Sequence, residues 1–411
     1  MTQVLQRYLF QRIAVRNKST HPVKIGIEEL RFKKKTQAIT NGSIALRDYY
    51  EWHKLSDIMV SETFFTHRGK CGGLGRSPSS QNDLLLYDPI MTHCIAKWLL
   101  VNYKLNSYPY HDLNIVNIYA DLRQSLQIAK TMMTYFKAVL SDTMFERIRF
   151  IMVPLYDHKH AQVEKIRQEI PGEIELITDD AIFLSQGQDG IGQASPLVIE
   201  DPVSIIMLND VMKNLSHDVI KYSYEKNKWE QGYLEFDSHG NKRLEFQDSV
   251  DFWCKFAIEN TLEDQIPSRQ NPNQTVYIPT RLAQLFEMIR KFAPQHRFFA
   301  VDEPQRWNPS VTSMLRLLLG YNPIRGSKVM KQRQGIELED PVFMPDFTQV
   351  QQMYMNINGM GKISEINDLG EFVDKWVNLG NDYKNANITM DQLVSQLKMI
   401  NESTLATIHS N

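Results

Sequence analysis

Between residues 113 and 208, short apolar runs alternate with longer stretches in which apolar residues recur every three or four positions. Residues 113–119 (LNIVNIY), 148–155 (IRFIMVPL), 173–177 and 203–208 (VSIIML) are rich in β-branched and large apolar residues, and each is short enough to be a strand. Residues 123–140 carry Leu126, Ile128, Ala129, Met132, Met133, Phe136 and Val139, a spacing that predicts a helix with a broad buried face. A second helix is predicted over 158–169. Continuous apolar strands alternating with helices predict an α/β fold, with a doubly wound, mostly parallel sheet covered on both faces. Its crossovers are right-handed, and a ligand would sit at the carboxyl ends of the strands.

The flanking pattern is more mixed. Residues 43–55 read as a helical stretch with Ala45, Leu46, Tyr49, Tyr50 and Trp52, and residues 92–103 as a helix with Ile95, Trp98, Leu99 and Leu100 facing a core. Between them lies a loop, 68–81, with Gly72, Gly73 and Gly75; no strand feeds it, so it reads as a flexible connection. Residues 219–244 predict a two-stranded excursion turning at 237–240, and 248–262 a helical insertion. A helix over 282–292 then leads into a strand, 297–301 (RFFAV), so the sheet resumes. Residues 304–346 look irregular and polar. Thr389 and Gln392 form a capping box ahead of a helix with Leu393, Leu397 and Ile400 on one face. The expected division is a leader over 1–20, a helical N-terminal segment over 21–110, and the α/β core over 111–235. A helical insertion at 236–275, the remainder of the core at 276–350 and a helical C-terminal extension at 351–411 complete it.

Composition excludes more than it identifies. The 411 residues carry 46 Lys and Arg against 48 Asp and Glu, a net charge of −2, so no bulk basic field draws the chain to nucleic acid. No run approaches the roughly 18 apolar residues of a membrane span. Cys71, Cys94 and Cys254 are too few and too far apart for a disulfide framework, and the eleven histidines show no metal-ligand spacing beyond the pair His158 and His160. The charge is uneven, however. Residues 1–27 contain Arg7, Arg12, Arg16, Lys18 and Lys24 with no acid before Glu28, the profile of a mitochondrial transit peptide. Removal near Ser19 would take four bases and leave about −6.

Two places hold candidate chemistry. The loop after the first core strand, Tyr119-Ala120-Asp121-Leu122-Arg123-Gln124-Ser125, is where this architecture grips a nucleotide-like cofactor, yet it contains no glycine. The fourth strand runs into Asn209-Asp210-Val211-Met212-Lys213, where Asp210 either faces the cleft or caps the next helix. Asp179 and Asp180 after the third strand are placed to touch a bound adenine, or equally to start a helix. His217 and Asp218 are adjacent and point apart on a helix, so a structural role is expected of them.

The order of these pieces resembles the MidA-like family of mitochondrial S-adenosyl-L-methionine-dependent protein arginine methyltransferases linked to respiratory complex I assembly. The resemblance spans roughly residues 40–350 and is clearest at Ile205-Ile206-Met207-Leu208-Asn209-Asp210 through Asp218, which is similar to the family's fourth strand and its Asn-Glu-x-x-Asp segment. It implies a class I methyltransferase-like Rossmann fold and Asn209 and Asp210 as catalytic residues. It also implies Ala120, Asp121, Arg123 and Asp179 as contacts to S-adenosyl-L-methionine, a protein substrate or assembly partner, and the mitochondrial matrix as location. The departures concern the cofactor grip: the family's three loop glycines fall on Ala120, Leu122 and Gln124, its ribose-binding Glu on Pro154, and its distal Asp on Lys213. Side chains at Leu122 and Gln124 are expected to take space that the methionine moiety needs. Two functions stay open: a protein arginine methyltransferase with a degenerate cofactor loop, and a catalytically inactive assembly or binding factor on the same fold.

Overall fold

The computed structural model describes residues 43–50, 88–120, 122–155, 169–176, 201–208, 211–236, 242–261, 275–304, 343, 345–359, 362 and 364–410. In chain order these form β1 (Ser43–Ala45), α1 (Pro89–Asn106), β2 (Leu113–Tyr119), α2 (Leu122–Val139), α3 (Asp142–Phe145), β3 (Ile148–Pro154), β4 (Glu173–Leu176) and β5 (Val203–Met207). Next come α4 (Val211–Asn214), β6 (Asp218–Ser223), β7 (Lys228–Phe236), β8 (Lys242–Gln247), α5 (Phe252–Thr261), β9 (Thr275–Ile278), α6 (Thr280–Phe292) and β10 (His296–Asp302). The chain continues through α7 (Phe347–Asn358), β11 (Ser364–Asp368), α8 (Leu369–Trp376), α9 (Asp382–Asn385), α10 (Met390–Asn401) and β12 (Ala406–Ser410).

The periodic segments stand where their patterns place them, to within a few residues at each end. Local chemistry accounts for the boundaries. Asp88 caps α1, its Oδ1 accepting from the N–H groups of Ile90 and Met91, and Pro89 needs no donor at that first position. The capping box of Thr389 and Gln392 opens α10. The helix expected at 158–169 and the turn at 237–240 lie outside the described residues.

The central sheet has seven strands in the order β11-β12-β10-β5-β2-β3-β4. β10, β5, β2, β3 and β4 are parallel, β12 pairs antiparallel with β10, and β11 antiparallel with β12, so β12 alone of the seven is reversed. From β2 the chain winds outward through β3 to β4, then returns to β5 on the opposite side of β2. The winding direction therefore reverses between β2 and β5. Alternate residues feed two cores: Ile206 and Leu208 join α1, α2, α8 and α10 on one face, while Val203, Ile205 and Met207 join α4, α5, α6 and α7 on the other. All five residues of β5 are buried, as a central parallel strand requires.

Three regions differ from the sequence expectation. The excursion at 219–244 is three strands, not two, and with β1 and β9 it builds a separate antiparallel sheet. β8 lies along one edge of β7, and β6 and β1 share the other. Residues 43–45, expected to be helical, are strand β1, and the helix begins at residue 46; residues 51–55 lie outside the described residues. The C-terminal segment, expected to be helical, also supplies β11 and β12. β12 (ATIHS) looks unlike a buried strand, yet every residue in it is buried, because β10 and β11 pair with it on either side and Ser410 Oγ accepts the Phe298 N–H at 2.8 Å.

A buried ionic network fastens the small sheet to the core. Arg47 Nη1 lies 2.5 Å from Asp218 Oδ2 at the start of β6 and 2.8 Å from Asp251 Oδ2 just before α5. Thr280 Oγ1, at the start of α6, donates to the same Asp218 oxygen at 2.8 Å. Arg281 reaches Asp48 at 2.8 Å, and Gln231 Nε2 reaches Asp251 at 2.8 Å. Burial works against the charge on Arg47, but the carboxylates of Asp218, Asp48 and Asp251 more than offset it and hold the guanidinium charged.

Two outcomes test this account. Arg47→Met leaves Asp218 buried without its counter-ion and is expected to cost about 3–5 kcal/mol in denaturant unfolding; a loss below about 1 kcal/mol would show the pair to be dispensable. The second concerns pH. Burial lowers His93 and His296 to about 4, so their contribution is complete above the ordinary histidine value and is lost as pH falls toward 4. Asp88, raised by burial to about 6, acts in the opposite sense and favours the folded state as pH falls below that value. Going from pH 7 to pH 5 should therefore destabilise the fold by about 2 kcal/mol net, read from urea midpoints; unchanged or higher midpoints at pH 5 would contradict the assigned burial.

Candidate functional site

The winding reverses between β2 and β5, and the carboxyl edge at such a reversal is where doubly wound sheets hold ligands; α2 and α4 begin at that edge. β2 ends at the buried Tyr119, whose carbonyl accepts the Leu155 N–H at 2.7 Å and so extends the β2–β3 contact past the last paired residues. Only residues 120 and 121 separate β2 from α2, so the amino end of an 18-residue helix opens directly onto the edge. Its first turn contains no acid, which leaves the positive end of the helix dipole uncompensated within the helix.

α1 also begins at this edge. Cys94 Sγ contacts the Val373 carbonyl, and Lys97 Nζ donates to the Trp376 carbonyl at 2.9 Å, so α1 and α8 descend side by side with the same offset. That offset sets Ile90 level with Leu369, the first residue after β11. Asp88 thus caps a helix whose start is at the carboxyl edge, and burial, only partly offset by the N–H groups of Ile90 and Met91, raises its carboxyl to about 6.

Beyond β5 the chain is tied to β10. The Lys213 side chain is 4% exposed, and its Nζ lies 3.3 Å from both Asp302 Oδ1 and Glu303 Oε2. The Lys213 N–H donates to Asp302 Oδ2 at 3.2 Å, and the Glu303 N–H to Asp302 Oδ1 at 2.7 Å. Thr404 Oγ1, from the turn before β12, donates to Glu303 Oε1 at 3.2 Å. Three segments meet here: α4, the end of β10, and the entry to β12.

The residues expected from sequence are placed unevenly. Ala120 is half-buried at the end of β2 and packs against the core beneath α4 and α6. Arg123 lies in the first turn of α2 by its backbone. Asp121, Asp179, Asn209 and Asp210 lie outside the described residues. Leu122 is half-buried and packs against the core shared by α1 and α2, and Ser125 is buried. Asp218 is fully buried against Arg47 and Thr280, and His217 stacks on Phe343 with ring centroids 4.2 Å apart, so both serve the structure. Sequence reasoning did not single out Asp302 and Glu303, although two acids directly after an apolar strand were a visible signal; Lys213, their partner, is 89 positions from Asp302. Among the described residues no group of three or more His, Cys, Asp or Glu is arranged to hold a metal ion, and no helix is long and apolar enough to cross a membrane.

Comparison with known proteins gives three likenesses. Residues 94–365, from α1 to β11, match the family described as "Putative S-adenosyl-L-methionine-dependent methyltransferase". The chain is 36% identical over 408 residues to the protein arginine methyltransferase NDUFAF7 homolog, mitochondrial, of Saccharomyces cerevisiae, covering 97% of this chain and 98% of that one. Two crystal structures of related proteins from Burkholderia thailandensis share the fold at a TM-score of 0.54, covering 94% of this chain and 92% of theirs, with 11% and 12% identity. The first of these is bound to S-adenosyl-homocysteine.

The carboxyl-edge cluster has its own test. Lys213→Met strands the fully buried Asp302 and is expected to lower stability by about 3–5 kcal/mol. Adding Asp302→Asn should restore part of the loss, and a double-mutant cycle with coupling below about 0.5 kcal/mol would show the two residues to be independent.

Proposed function

Because the chain belongs to the family of S-adenosyl-L-methionine-dependent methyltransferases, we propose that it is a protein arginine N-methyltransferase of the mitochondrial matrix, acting in respiratory complex assembly. What carries this reading is the reversal of winding between β2 and β5 in a chain of this family, since doubly wound sheets bind their ligands at the strand ends beside such a reversal. The arginine substrate and the mitochondrial location come from the yeast relative's name, and the acid-free leader supports the location. The link to complex assembly rests on the sequence resemblance.

The described residues suit S-adenosyl-L-methionine in one respect and strain it in another. The amino end of α2, free of acids in its first turn, favours the carboxylate of an amino-acid moiety. Ala120, Asp121, Arg123 and Asp179 form the contact set that the resemblance implies, and Ala120 has the smallest side chain of the four. Against this stands a loop with no glycine, where Leu122 contributes its bulk to the α1–α2 core. When bound, the cofactor supplies a sulfonium methyl whose C–S bond breaks as a guanidinium nitrogen bonds the carbon, the sulfur keeping the electron pair. The protein's part is to hold the acceptor in line and to take up the proton that the nitrogen sheds. Asp210 is the proton acceptor in this reading, with Asn209 beside it.

The absent glycines favour a second reading, a catalytically inactive member that uses the fold for binding. Calorimetry with S-adenosyl-L-methionine separates the two. Submillimolar affinity, together with methyl transfer to protein that Asp210→Ala abolishes, is the expected result for the enzyme. No binding at millimolar cofactor would decide for the inactive factor.

A further inference from the structure

The largest grouping of exposed apolar side chains lies away from the carboxyl edge. Among the described residues ten large hydrophobic side chains are exposed, and four of them fall within ten residues at the end of α1: Val101 (41%), Leu105 (77%), Tyr108 (43%) and Tyr110 (87%). Exposed apolar residues are ordinary when scattered, but grouped in this way they mark a contact surface. We propose that this end of α1 docks the protein onto a membrane surface that carries anionic lipid headgroups, its apolar side chains entering the headgroup layer without crossing the bilayer.

The turn that displays these residues is firmly built. The N–H groups of Ser107 and Tyr108 both donate to the Tyr103 carbonyl at 2.9 Å, and those of Tyr110 and His111 to the Ser107 carbonyl at 3.0 Å. The Tyr103 hydroxyl donates to the His111 carbonyl at 2.8 Å, and Arg147 lies over the Tyr108 ring, 5.5 Å from its centroid. These contacts tie the turn to the starts of β2 and β3, at the amino edge of the central sheet, so docking leaves the carboxyl edge free.

Charge selects the occupant. Residues 89–111 contain Lys97 and Lys104 and no acid. Lys97 pairs with Asp382, but the exposed Lys104, within the apolar group, has no carboxylate partner among the described residues. The carboxylates beside the turn, Asp112 and Asp201, each lie 2.9 Å from a basic side chain, Arg147 and His111 respectively. Asn102 and Asn106 turn their amides to carbonyls of α1 itself. Tyrosine and aliphatic side chains around a lysine, with no acid among them, suit the boundary between headgroups and acyl chains. Tyrosine rings settle at headgroup level there, and lysine reaches lipid phosphates over an apolar stem. No described helix can span a bilayer, so the contact is peripheral.

The test is co-sedimentation of the full chain with vesicles of phosphatidylcholine, alone or with phosphatidylglycerol as about one lipid in three. The expected result is binding at least roughly fivefold tighter to the anionic vesicles, weakened as salt rises from about 0.1 M to about 0.5 M. Replacing two exposed residues together, Leu105→Ser with Tyr110→Ser, should lower that affinity roughly tenfold or more with Tm unchanged. Lys104→Glu should lower it roughly fivefold or more. Val394→Ser, at an exposed position of α10, should leave it unaltered. A wild-type chain that ignores both vesicles, or binds both equally, overturns the proposal, as do Leu105/Tyr110 and Lys104 variants that bind like wild type. Self-association, or capture by polyglutamate, that is lost in these variants while vesicles go unbound would assign the patch to a protein partner and also overturn it. None of these outcomes bears on cofactor binding, which is read separately at the carboxyl edge.

Discussion

The fold as a whole depends on the buried pair of Arg47 and Asp218. These residues lie 171 positions apart, and their contact at 2.5 Å is where three otherwise separate parts of the chain meet. Arg47 belongs to the segment that contributes β1, Asp218 opens the inserted sheet, and Thr280, which bonds the same carboxylate, returns the chain to the core through α6. A buried ion pair adds little net stability over a well-packed apolar contact, but a broken one is costly. Its effect is therefore to select one arrangement: with Asp251, Asp48, Arg281 and Gln231 also committed, alternative dockings of the small sheet would leave charges buried and unmatched.

That docking matters because of where the insertion enters and leaves. β6 follows α4 at the carboxyl end of β5, and β9 leads into α6, which descends to the amino end of β10. The small sheet is thus anchored at the carboxyl edge of the central sheet, while among the described residues the opposite edge has short connections such as that from α3 to β3. The same edge holds the second ionic cluster, Lys213 with Asp302 and Glu303. Polar and charged groups that a stable core would exclude are concentrated where strands end and elements must be joined. The charged ones are tolerated there because each has an oppositely charged neighbour, as Arg47 has Asp218 and Lys213 has Asp302.

The core strands were legible because burial on both faces needs little beyond the residues themselves. VSIIM in β5 is apolar at four of its five positions and lies at the centre of the sheet, and LNIVNIY was read with its observed limits. β12 was not legible: Ala, Thr, Ile, His and Ser become a buried strand only because β10 and β11 lie on either side and Ser410 satisfies the Phe298 N–H. β1 has three residues, too few for any period to register, and becomes a strand because Tyr233, Leu234 and Glu235 of β7 offer it an edge. The carboxyl edge divides in the same way. Ala120 and Arg123 could be named from their place after a strand, whereas the pairing of Lys213 with Asp302 and Glu303 joins residues that sequence spacing does not connect.

Sequence alone determined the doubly wound class, the order of the core elements and the place of the loop after β2, because these follow from local periodicity and from which stretches are apolar. It also located the acid-free stretch at 1–27 and the lack of glycine at 119–125, since composition requires no neighbours. Tertiary structure decided the reversed strand β12, the five-stranded second sheet and the buried ionic networks of Arg47 and Lys213. A polar side chain is worth burying only beside a particular partner, and partners such as Arg47 and Asp218 are brought together by the winding of the whole chain.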